Sequence, residues 1–399
     1  MNNKLMNPFN NSALISHALN LRQFVNFIPL MIYVILAVFI SLFIVHRTTI
    51  PNGYNLYWFE PFTNGLRVTF FILGLISCYS ESKWKLVTCF CYFILSFVTY
   101  RYGHSWVLFD LFFIPLFLSK KLNLNIVIDI FFYVILIGTF VTITLDLCDC
   151  LPKFPHELYR GNQIRYNLGF SHPNSLGLMF MLIGMLFALK IKQMNLVCFL
   201  LLVVLGSLSL LLPKSYSSAT ILYCMSLFSF FKIILKYLSF AIPRKLVYLF
   251  AVGILTCIIV GVYAIALFDL HKDVPVEMSQ SLLARFSFGA KALAKFGFSV
   301  FGQDYHPVGT SAIMNGAHPS TYFVVDCLYF YLPIFVGIIP SLVYLSLFYR
   351  AVWISINREN YSLMFVLMMI SVYSISEFLV VFPLFMFVYF DYNCKSSVS

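Results

Sequence analysis

Long apolar runs separated by short polar breaks dominate this chain, and their lengths predict the architecture. Phe27 to Val45 is the first run able to cross a bilayer, since about 20 helical residues rising 1.5 Å each match a hydrocarbon core of about 30 Å. Leu66 to Ser80, Leu86 to Tyr100 and Trp106 to Leu118 follow. Each is short for a full crossing, so either flanking side chains reach out to the interface or the helices extend past the apolar runs. Ile126 to Leu145 is long enough. Beyond a polar stretch at 146–174 come Ser175 to Leu189, Leu196 to Leu212, Ala219 to Phe231 with an extension to Leu238, and Leu246 to Leu267. A second polar stretch, 268–320, precedes Tyr322 to Phe348 and a closing run from Tyr361 to Phe390. The closing run is too long for one untilted crossing and carries Glu377 near its middle, so it is one long helix or two elements meeting at the glutamate. The pattern predicts an all-α polytopic integral membrane protein with about 11 to 12 transmembrane helices in a single domain, 27–390. An Asn-rich tail, 1–26, precedes it and a short tail, 391–399, follows. The first tail has no cleavage site after a short apolar core and reads as cytoplasmic rather than as a signal peptide.

Composition agrees with the pattern. Apolar residues make up 61% of the 399 positions and charged residues 10%, more apolar surface than one soluble core could hide. The charge of +11 arises from 26 Lys and Arg against 15 Asp and Glu. In a membrane protein that excess sets orientation and lipid contact, and no nucleic-acid partner is expected. With the N-terminus inside, Lys4, Arg22, Lys83, Lys85, Lys120, Lys121, Lys190, Lys192, Lys232, Lys236, Arg244, Lys245, Arg350 and Arg358 fall on the inner side, where every short loop is basic. Arg47, Arg67, Arg101 and Lys214 fall outside with seven more cations in the two long loops, which the rule does not constrain. Every histidine except His17 also falls outside. Cysteines sit mostly in apolar runs as small hydrophobes, and Cys148 with Cys150 offers too few ligands for a metal.

Chemistry concentrates in the long outer loops. Arg160 to Asn174 is a doubly basic polar segment that runs straight into a membrane helix. The segment Ser281 to Val300 places Leu282, Phe286, Ala290, Leu293 and Phe296 on one side at helical spacing and Lys291 and Lys295 on the other, the pattern of a helix lying on a membrane surface as a lid. Gly289 and Gly297 weaken that helix by about 1 kcal/mol each relative to Ala. Asp110, Asp129 and Glu377 are carboxylates in or near spans, where function and structural hydrogen bonding compete as explanations. Lys214 with Ser215 to Ser218 forms a short outer turn, a plain loop first and a glycan contact second.

At these residues the chain resembles the bacterial polymerases that join lipid-linked oligosaccharide repeat units into surface polysaccharide, and their relatives the O-antigen ligases. The resemblance rests on Gly169-Phe170-Ser171-His172-Pro173-Asn174 at the start of a span. Weaker matches are Arg285 ahead of Phe301-Gly302-Gln303-Asp304-Tyr305, His318 in Asn315-Gly316-Ala317-His318-Pro319, then Asp326, Tyr329 and Gly337, and finally Glu377. Where the ligases place a small polar residue soon after the second-loop His, this chain has Pro319. The resemblance implies a GT-C-like fold and a metal-independent glycosyltransferase without cofactor. It would move a growing glycan from undecaprenyl pyrophosphate onto a new lipid-linked unit at the outer face of the cytoplasmic membrane, alongside a flippase and a chain-length regulator. Such chemistry needs charge neutralisation at the leaving pyrophosphate, best done by the planar fork of Arg, and a base for the acceptor hydroxyl. Arg160, Arg165, Asn174 and Lys214 are the expected contacts to pyrophosphate or glycan, and His318, Arg285, His172 and Asp326 the expected catalytic set. Asp326 is expected about 9 Å deeper than the loop end, by helical rise, orienting His318. An outer-loop Arg is ordinarily a headgroup contact and a His at a helix mouth ordinarily a cap, so each role competes with a plainer one. A ligase-like transferase or a lipid-linked oligosaccharide flippase are the alternative functions, although no internal repeat of the transporter kind is visible.

Overall fold

The computed structural model describes residues 9–53, 58–79, 83–103, 123–152, 157–160, 163–191, 195–237, 243–267, 282–304 and 323–377. Its helices are α1 (Phe9–Arg47), α2 (Ile50–Gly53), α3 (Phe59–Tyr79), α4 (Lys83–Gly103), α5 (Leu124–Leu147), α6 (Pro173–Ile191), α7 (Leu196–Leu211), α8 (Tyr216–Tyr237), α9 (Arg244–Leu267), α10 (Leu282–Phe296), α11 (Leu328–Tyr331), α12 (Ile338–Asn357) and α13 (Tyr361–Tyr373). Among the described residues, seven helices are long and apolar enough to cross a membrane, and three shorter apolar helices accompany them. The chain is a multi-pass, mostly helical membrane protein. The expected span Trp106 to Leu118 lies outside the described residues, as do Asp110, His318 and everything after Glu377.

Asparagines start several of these helices, because a short amide side chain can accept from the backbone N–H groups that a first turn leaves unpaired. Asn123 accepts from Asn125 at 2.9 Å, Asn195 from Cys198 at 2.9 Å and Asn360 from Leu363 at 3.1 Å. Helix α6 is the axis of the bundle. It is buried almost all round, packed by α5, α7, α8 and α13, while α1, α4, α7 and α9 turn large apolar side chains such as Phe90, Phe97, Leu249 and Phe250 outward. An apolar face of that kind is what lipid solvates.

Three departures from the pattern-based expectation matter for function. Helix α1 begins at Phe9, well inside the expected tail, because residues 9–26 contain neither Gly nor Pro. The polar stretch after α5 folds into an antiparallel hairpin, β1 (Glu157–Arg160) with β2 (Gln163–Tyr166), in which Leu158 faces Arg165 and Arg160 faces Gln163. And the expected span Tyr322 to Phe348 is broken. Residues 324–327 are non-helical, α11 makes one turn, Leu332–Val336 widens into a π-turn, and Gly337 at φ 111° reverses the chain into α12. Helical rise therefore does not set the depth of Asp326, which corrects the basis of the depth expected for it.

The reversal works because three glycines meet there. A Cβ on Gly337 would lie 2.6 Å from the backbone nitrogen of Gly302, and one on Gly103 would lie 2.7 Å from the carbonyl oxygen of Phe335. The end of α4, the loop after α10 and the start of α12 thus touch backbone to backbone. Gln303 ties the same junction, its backbone N–H donating to Phe335 O at 3.1 Å and its side-chain amide to Ile334 O at 2.9 Å. Helix α10 packs its Phe286 and Ala290 against Phe330 and Phe335 in a core cluster separate from the main one.

Candidate functional site

The sequence Leu168-Gly169-Phe170 bends back on the end of α1. Gly169 at φ 82° permits the bend, Phe170 is wholly buried and bridges to Thr48, and Ser171 donates from N and Oγ to the carbonyl of Arg47 at 2.8 and 3.1 Å. This docking fixes the next residues over the mouth of α6. His172 caps that helix, its Nδ1 accepting from the N–H of Asn174 at 3.1 Å. Pro173 occupies the first turn, where its missing N–H costs nothing.

Asn174 is the hinge of a polar network between elements far apart in sequence. Its Oδ1 accepts from Arg165 Nη2 at 2.6 Å and its Nδ2 donates to Glu377 Oε1 at 3.2 Å. Arg165 is buried at 2% exposure, with Nε also donating to the carbonyl of Pro213 at 2.9 Å. Lys214 follows that proline in a left-handed conformation at φ 47°, so its turn supplies the carbonyl that orients Arg165. Glu377, just past the turn that follows α13, pairs with Arg285 Nη2 at 3.6 Å. Arg285 projects from the first turn of α10. Its Nη1 donates to the carbonyl of Ser376, and its Nε lies 4.0 Å from Asp326 Oδ2. Among these three, Asp326 is the most open, with 27% of its side chain exposed against 16% for Glu377 and 12% for Arg285.

The electrostatics sort the expected acid–base groups. Desolvation and the guanidinium groups of Arg165, Arg47 and Arg285 push the His172 imidazole down to about 4, so it is neutral at physiological pH and a weak base. With Nδ1 accepting, its proton sits on Nε2. Asp326 moves the other way. Desolvation and then the charge of Glu377 raise its carboxyl well above the usual carboxylate range, with Arg285 opposing. A carboxylate so raised is a far better proton acceptor near neutral pH than an ordinary one.

The fold therefore brings together His172, Asn174, Arg165, Arg285 and Asp326 from the expected set. Arg160 closes the hairpin at the same end of the bundle, its backbone paired to Gln163. His318 lies outside the described residues. Two members were absent from the expected set. Glu377 was a weak match of the resemblance and a carboxylate within a span, without an assigned role, yet it joins Asn174 to Arg285. Arg47, an outer cation by position, also belongs here, its charge acting on both Glu377 and His172. A cation at the outer end of a span, against the inner bias, was the available signal. Among the described residues, no three His, Cys, Asp or Glu side chains converge as a metal site would require. Comparisons with protein families, with curated proteins and with solved structures give no match for this chain.

Proposed function

We propose that this chain is a polysaccharide repeat-unit polymerase, with a GT-C-like arrangement and its N-terminus inside, acting at the outer face of a bacterial cytoplasmic membrane. What carries the reading is one convergence: the Gly-Phe-Ser-His-Pro-Asn segment before α6 and Arg285 from the second long loop are linked through Asn174 and Glu377 at one end of the bundle. Two loops more than a hundred residues apart, singled out by a family resemblance, share one polar network.

The reaction then follows from the groups present. The acceptor sugar hydroxyl of one lipid-linked unit attacks the anomeric carbon of the glycan on undecaprenyl pyrophosphate. Its O–H bond breaks as the new C–O bond forms, and the proton passes to the Asp326 carboxylate. The old anomeric C–O bond breaks, and its electron pair leaves on the pyrophosphate, whose charge the site's arginines neutralise. His172 holds the mouth of α6 and offers Nε2–H, and Asn174 keeps Glu377 and Arg165 in register.

The test is reconstitution of the purified chain in proteoliposomes with lipid-linked repeat units extracted from the producing cell. A ladder of lengthened glycans with release of undecaprenyl pyrophosphate is expected. Relocation of the lipid across the bilayer without lengthening would instead identify a flippase, and transfer only to a different acceptor lipid would identify a ligase.

A further inference from the structure

We propose that Arg47, at the end of the first membrane helix, is an anion-binding residue that grips the donor pyrophosphate together with Arg285. The identity of the anion rests on the polymerase reading; the site itself rests on geometry.

Arg47 Nε is buried and has no hydrogen-bond partner among the described residues, and Thr49 Oγ1, two positions on, is in the same condition. Leaving a buried guanidinium N–H unmet costs more than an ordinary neutral donor, so such a group is where a ligand completes the structure. The backbone around it is fixed rather than loose. Ser171 claims its carbonyl, Thr48 bridges to Phe170, and the guanidinium lies 5.5 Å from the centre of the Phe43 ring. The docking that orders His172 therefore orders Arg47 as well.

The other arginines are differently engaged. Arg165 already donates to Pro213 and Asn174, and Arg285 already faces Asp326 and Glu377. Among the described residues, the site holds three guanidinium groups and two carboxylates, and His172 is neutral beside them. The chain from Arg47 to Arg285 is short: Ser171, next to His172, holds the Arg47 carbonyl, Asn174 reaches Glu377, and Glu377 pairs with Arg285, so the charges of both arginines act on His172. A pyrophosphate there would receive N–H groups from two sides and the Nε2–H of His172 from a third. Arg suits such a ligand because its fork gives two parallel charge-assisted bonds.

Binding of geranylgeranyl pyrophosphate, inorganic pyrophosphate and geranylgeraniol to the detergent-purified chain tests this. Arg47→Gln is expected to weaken geranylgeranyl pyrophosphate binding at least about tenfold, the worth of a charge-assisted hydrogen bond. Glu377→Gln removes a competing negative charge and is expected to tighten it, an opposite sign that misfolding would not produce. Wild-type affinity in Arg47→Gln, or weakening in both variants, overturns the role of Arg47. If inorganic pyrophosphate alone binds through Arg47, the lipid-linked donor is the wrong ligand. If the wild type binds neither pyrophosphate, the polymerase reading falls together with this one.

Discussion

Asp326 and His172 carry opposite shifts for reasons that a pH series separates. Asp326 must be ionised to accept a proton, so the rate of chain extension should fall as pH falls through its raised pKa, above where an ordinary carboxylate would titrate. Glu377 is one cause of that rise. Glu377→Gln should therefore move the acid limb of the rate profile to lower pH, and Asp326→Asn should abolish extension while the protein remains in the membrane. An acid limb that stays in place in Glu377→Gln would remove Asp326 from the role of base. His172 acts on stability instead. Between its ordinary 6.5 and about 4, the unfolded chain binds a proton that the folded site refuses. Stability is then full above that window and declines as pH falls through it. Thermal unfolding of His172→Gln in detergent should show a shallower decline over the same window. An identical slope in both proteins would mean that the imidazole is not held neutral as the geometry implies.

The site is placed by elements whose order follows from the break at Gly337. A substitution to Ala there adds a Cβ 2.6 Å from a backbone nitrogen and forces a non-glycine residue to φ 111°. The loop after α10 cannot yield without moving α10, and Arg285 moves with it. Gly337→Ala should cost about 1 to 3 kcal/mol in stability and lower activity further than stability alone explains. Gly253→Ala, in α9 with open space around it, is the matched control: it should not lower stability, since Ala favours a helix over Gly, and should leave activity unchanged. Equal unfolding temperatures for the two variants would show that the junction is not tight. The same break marks where sequence patterning stops being informative. Hydropathy locates apolar content, so α5, α6, α7 and α9 emerge within a few residues of their expected limits, and α3 and α4 grow into their polar flanks. It is blind to backbone conformation, so Tyr322 to Phe348 reads as one span although one positive-φ glycine divides it. For the site, a motif points at His172 and Asn174, and loop charge points at Arg165 and Arg285. Arg47 sits just past the end of an apolar run, where a charge looks like an anchor, and Glu377 sits alone near the middle of one, where it looks like a structural carboxylate. Only the docking of Ser171 on the carbonyl of Arg47, a contact spanning 124 positions, reveals the first of them as part of the site.

At the scale of the whole molecule, the two ends of the bundle are chemically different, and their sidedness decides whether the proposed chemistry is possible. One end holds Arg47, the hairpin, the mouth of α6 and the ends of α5 and α13. The other holds Lys190 paired with Asp129 at 2.8 Å and Arg244 paired with Glu359. Lys190, Arg244, Lys245 and Arg358 lie at that second end, the kind of basic flank that the positive-inside rule expects on the cytoplasmic side. Cysteines already present can report the answer. Cys148 and Cys150 are free and exposed where α5 ends, on the side of the site, whereas Cys91 and Cys257 are exposed within apolar helices, where a water-soluble reagent does not reach. In a Cys394→Ser background, a membrane-impermeant maleimide applied to intact cells should label the chain and fail to label it once Cys148→Ser/Cys150→Ser is added. In that triple variant, Asn357→Cys at the end of α12 should react only after the membrane is opened. The reverse pattern, with Asn357→Cys labelled from outside and Cys148 and Cys150 protected, would put Arg285, Asp326 and Glu377 in the cytoplasm. A polymerase of units presented on the outer face could not work there, whatever the geometry of its arginines.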